Sequence, residues 1–75
     1  MAEPINITLT ENDLVTYTLE NEVPTITIAS GPYVVRIRPA QPVTRDVRLV
    51  GDAFAEAAEQ WHIDVLTRAV RNARK

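Results

Sequence analysis

Val47-Arg48-Leu49-Val50-Gly51-Asp52-Ala53-Phe54-Ala55-Glu56-Ala57-Ala58-Glu59-Gln60-Trp61 is the stretch in which the chain changes its period. Up to Leu49, apolar and polar residues alternate, with Val47 and Leu49 on one side and Arg48 on the other. This is the pattern of a half-buried strand. From Asp52 onward Phe54, Ala58, Trp61, Val65 and Ala69 recur at helical spacing and make one stripe. Gly51 marks the break and Asp52 is the expected N-cap. No Gly or Pro follows as far as Lys75, and the many alanines favour a helix over 52–73. Acids come early in it (Asp52, Glu56, Glu59) and bases late (Arg68, Arg71, Arg74, Lys75), which suits the helix dipole. Asp64 and Arg68 stand four apart in the favourable orientation for an ion pair.

Upstream, residues 5–50 alternate throughout. Ile5, Ile7 and Leu9 face away from Asn6, Thr8 and Thr10; Val15, Tyr17 and Leu19 from Thr16, Thr18 and Glu20. Ile26 and Ile28 oppose Thr25 and Thr27, and Tyr33, Val35 and Ile37 oppose Val34, Arg36 and Arg38. Turns are expected at Glu11-Asn12-Asp13, Glu20-Asn21-Glu22 and Ser30-Gly31-Pro32. Connections this short join only antiparallel neighbours. Pro24 argues for an edge or a bulge at the start of its strand, and Pro39 and Pro42 for an irregular link. The expected fold is α+β: an antiparallel meander of four to five strands over 5–50, then one C-terminal helix packed on its apolar face. Residues 1–4 are expected to be a flexible N-terminus of a single small domain spanning 1–75.

Such a domain is short of core. A chain of 75 residues buries about 60% of its unfolded surface, and with no Cys it has no disulfide or thiolate metal site to reinforce it. Self-association is the remaining support. The helix also carries more apolar surface than one sheet can cover. On a wheel with Phe54 at zero, the main stripe spans roughly −20° to +60°, whereas Leu66, Val70 and Ile63 fall near 120°, 160° and 180°. The arc is closer to 200° than to the usual 100° or so. A helix over 52–73 would run about 33 Å against strands of roughly 17–20 Å, so its end overhangs. Ile63, Leu66 and Val70, rimmed by Arg71 and Arg74, are therefore the candidate contact surface for a protein partner or a second copy, packed antiparallel.

Charge supplies the alternative. Residues 1–35 hold five acids and no base, and residues 36–75 hold eight bases and five acids; the halves carry −5 and +3, together −2. If the fourth and fifth strands pair, Arg36, Arg38 and Arg48 share an outer face, and Arg68 and Lys75 add a basic helix end, a pattern that can hold phosphate. The net negative charge and the lack of aromatics among these arginines argue against nucleic acid.

Catalytic patterns are missing. Ser30 is the one serine and reads as a turn residue; two glycines cannot build a phosphate loop; the acid pairs Glu11/Asp13 and Glu20/Glu22 sit at turns. Glu59-x-x-His62 has the spacing of a carboxylate–imidazole metal half-site, but the chain has one His. Neither an enzyme, a cofactor, a metal nor a small-molecule substrate is expected. The Thr-x-Thr strings at 8–10, 16–18 and 25–27 read as a solvated strand face. The N-terminus lacks the basic and apolar regions of a signal peptide, and no apolar run nears the roughly 20 residues of a membrane span. A cytoplasmic, non-enzymatic interaction protein is expected, of the plain kind that serves as an accessory protein in a phage or a bacterium.

Overall fold

The computed structural model describes residues 2–74. It is α+β, with three antiparallel strands followed by one helix. The strands are β1 (Leu14–Glu20), β2 (Val23–Ser30) and β3 (Tyr33–Ile37), in spatial order β1-β2-β3, and the helix is α1 (Arg45–Ala73). The chain divides into two compact units, Met1–Pro39 and Ala40–Lys75. The break falls at the link containing Pro39 and Pro42, where neither strand nor helix continues.

Two tight turns set the register of the sheet. Asn21 and Glu22 both have positive φ, 51° and 67°, as a two-residue type I′ hairpin requires, and Glu20 pairs with Val23. At the second turn Gly31 has φ 57° and Pro32 follows with its φ held near −65° by its ring, which fits type II′; Ser30 pairs with Tyr33. The resulting rows put Val15, Tyr17, Leu19, Ile26, Ile28, Val35 and Ile37 on one face. Thr16, Thr18, Thr25, Thr27 and Arg36 lie on the other.

The sheet has three strands, not four or five, because both flanking runs go elsewhere. Residues 5–10 form no strand. A β-turn closes from Asp13 N–H to the Thr10 carbonyl (3.1 Å), but the Thr10 N–H is taken by the Asp13 carboxylate at 2.7 Å, so the second hydrogen bond of a hairpin is diverted. Register opposes the pairing as well. A two-residue turn there would set Leu9 opposite Leu14, Ile7 opposite Thr16 and Ile5 opposite Thr18, placing the apolar residues of the run on the threonine face.

The other missing strand, around Val47–Leu49, is helix. α1 begins at Arg45, seven residues before Asp52: Thr44 is the N-cap, accepting from the Val47 N–H through its hydroxyl at 3.3 Å, and Asp46 lies in the first turn. Gly51 is an interior helical residue rather than a break. Pro24 lies in the central strand, which the edge expectation did not allow. It faces Leu19 one step beyond the hydrogen-bonded pair Glu20–Val23, so its missing N–H points away from β1. On that side β3 has already ended, since its last partner is Ile37 opposite Ile26. The edge is local.

Neither unit closes an apolar core. Thr25 is the one buried residue among those described, at 0% exposure. In α1 no residue is buried, and the stripe expected to form the core stands open: Phe54 is 44% and Trp61 56% exposed. No helix among the described residues is long and apolar enough to cross a membrane.

Candidate protein-interaction surface

The 29 residues of α1 span about 43 Å at 1.5 Å per residue. Its backbone is capped at both ends: Thr44 serves the start, and at the finish the Arg74 N–H returns to the carbonyls of Arg71 and Asn72. Along its surface, two side-chain hydrogen bonds among the described residues join successive turns. Gln60 donates to the Asp64 carboxylate at 3.1 Å, and the Thr67 hydroxyl donates to the Ile63 carbonyl at 2.9 Å. The expected Asp64–Arg68 pair is absent, because Asp64 is engaged one turn earlier by Gln60.

Ile63, Leu66 and Val70 are 47%, 55% and 46% exposed, and the helical period sets them on one flank, as the wheel requires. Val70, Arg71 and Arg74, with Thr67, line one shallow surface groove. Glu56, Glu59 and Ile63 contribute to another, one to two turns nearer the N-terminus. Four of the five candidate contact residues thus lie in the last three turns of α1, and the fifth, Arg74, is its C-cap.

The alternative set is not assembled in this way. Arg36 and Arg38 do share the polar side of the sheet, but both turn to Glu20: Arg38 donates to its carboxylate and Arg36 stands 3.8 Å from it. Arg48 lies in α1, so the three-arginine face expected from two paired strands does not form. Arg68 is exposed on the helix, and Lys75 lies outside the described residues. Among the described residues no three His, Asp or Glu side chains gather where they could hold a metal, so Glu59 and His62 stand without further ligands.

Sequence reasoning missed part of the surface. Phe54, Trp61 and Val65 were assigned to a core, yet they are exposed apolar side chains of the same helix and extend its apolar area toward the N-terminus. Their spacing shows that they share a face, and spacing alone does not say what covers it. Comparison with family models, with curated proteins and with solved structures finds no match to this chain.

Proposed function

We propose that this chain is a non-enzymatic protein–protein interaction module that self-associates through its C-terminal helix. The observation that carries this reading is that α1, 29 residues long, buries none of its side chains. Helices in proteins owe most of their stability to packing of an apolar face, and exposed apolar patches of this extent mark contact sites. Cover from the chain's own sheet would be insufficient. The longest strand has 8 residues, about 27 Å, against about 43 Å of helix, and Ile63, Leu66 and Val70 lie about 120–180° round from Phe54. The setting that suits such a module is the cytoplasm, as an accessory component of a larger phage or bacterial assembly.

Sedimentation of the purified chain over a wide concentration range tests the reading, with oligomers expected and a monomer at every concentration refuting it. Leu66→Glu should weaken association by roughly 10- to 100-fold, the equivalent of about 1.5–3 kcal/mol for one buried leucine. Circular dichroism of the monomeric variant then shows whether the sheet persists.

Nucleic-acid binding stays as the second reading because Arg68, Arg71 and Arg74 are exposed and make no ion pair among the described residues. Salt separates the two. Association driven by apolar burial survives high salt, whereas phosphate binding falls steeply with it.

A further inference from the structure

One flank of α1 carries three kinds of side chain in succession. On the wheel with Phe54 at zero, Asp52, Glu59, Ile63, Leu66 and Val70 lie between about 120° and 180°, and Glu56 and Arg74 at about 200°. In chain order this flank reads acid (Asp52, Glu56, Glu59), then apolar (Ile63, Leu66, Val70), then basic, with Arg74 on the flank and Arg71 beside it. From Leu49 to Thr67 there is no Lys or Arg, and from Arg68 to Arg74 no Asp or Glu. These charges are not consumed within the chain, since both ion pairs among the described residues belong to Glu20.

We propose that α1 pairs antiparallel with α1 of a second copy, in a register set by this acid–apolar–base order. The inference rests on the self-association proposed above and adds its orientation and register. Reversing the flank about a two-fold axis between Ile63 and Leu66 sets Ile63 of one copy against Leu66 of the other. Glu59 then meets Val70 and Arg71 of the second copy, and Glu56 meets Arg74. The apolar centre supplies the affinity and the outer charges choose the orientation. A parallel pair does the reverse. It stacks Glu56 on Glu56 and Arg74 on Arg74, and leaves the acidic and basic clusters about 22 Å apart along the axis, beyond the roughly 8 Å over which charges act at physiological salt. A closed two-fold pair uses the same patch on both copies, and this flank is complementary to its own reverse.

The chain has no cysteine, so introduced thiols report on orientation without ambiguity. Full-length Glu56→Cys and Arg74→Cys are prepared singly, then oxidised mildly alone and as an equal mixture. The antiparallel register predicts a disulfide-linked dimer in the mixture at about tenfold the yield of either variant alone, because each site faces the other and not itself. Glu59→Cys mixed with Val70→Cys, which the same axis sets opposite one another, should behave in the same way. Efficient linkage of Glu56→Cys to itself would mean a parallel pair and overturn the proposal. Sedimentation of the reduced variants separates the two failures: oligomers without the mixed crosslink overturn this register alone, and monomers throughout overturn self-association with it.

Discussion

The sheet unit and the helix unit both leave apolar residues open, but they settle their polar groups differently. In the sheet unit, side chains far apart in sequence meet: Glu20 at the end of β1 engages Arg36 of β3 and Arg38 just beyond it. The Thr25 hydroxyl donates to the Val23 carbonyl at 3.0 Å, and the register pairs Thr25 with Thr18, two residues along β2 from Val23, the partner of Glu20; Thr25 is fully buried. In the helix unit, every side-chain hydrogen bond among the described residues spans four positions or fewer. The sheet therefore specifies its own register through long-range contacts and two defined turns. Among the described residues, the hydrogen bonds of the helix specify its start and its period and are local in sequence.

The largest effect within one chain is expected where the sheet depends on a single backbone conformation. A Cβ at Gly31 would meet nothing within 4 Å, so the cost of Gly31→Ala comes from the positive φ of 57° alone. That cost is about 1–2 kcal/mol. It should appear as lost amide-exchange protection in β2 and β3, with the fluorescence of Trp61, the chain's one tryptophan, unchanged. Equal loss of protection in both units would show that they unfold together.

The same contrast explains what was readable beforehand. β1, β2 and β3 follow their alternation and their turns closely, because Asn21 tolerates the left-handed region, Gly31 adopts it freely and Pro32 fixes its own φ; Glu22 takes its positive φ against its own preference. The run Ile5–Thr10 alternates just as well and still forms no strand. What decides it is the Asp13 carboxylate holding the Thr10 N–H, a hydrogen bond that alternation does not encode. Val47-Arg48-Leu49 fits either period over so short a stretch, and the deciding signal was Thr44 with Asp46 two residues on, a start site passed over in favour of Asp52. That Ile63, Leu66 and Val70 share one side of the helix was legible because angular position on a helix depends on sequence spacing alone. The exposure of Phe54 and Trp61 was not, since it depends on what lies opposite.

A smaller effect is expected at the start of α1. Thr44→Ala removes the hydroxyl that accepts from the Val47 N–H and should cost about 1 kcal/mol of helix stability. The loss should be plain in the helical circular dichroism of a monomeric Leu66→Glu background. It should be the same in the assembled protein, because the proposed register overlaps the two helices only from about Glu56 to Arg74 and leaves the first turns outside the contact. A smaller loss in the assembled state would show that the contact reaches the N-terminal turns of α1, against that register.

The smallest effect belongs to the clamp on the sheet. Glu20 keeps 33% of its side chain exposed, and its arginine partners 54% and 45%, so solvent screens the interaction. Pairs of this kind are worth about 0.5–1 kcal/mol, and Glu20→Gln should lower the stability of the sheet unit by no more than that, less so as salt is raised. The informative readout is Thr25. Its amide protection should fall further than that of Thr27, the next residue of β2 on the same face, because Thr25 lies two residues from Val23, the partner of Glu20, whereas Thr27 lies four residues from it. A uniform change along β2 would mean that the ion pair acts on the sheet as a whole and does not shield the single buried side chain.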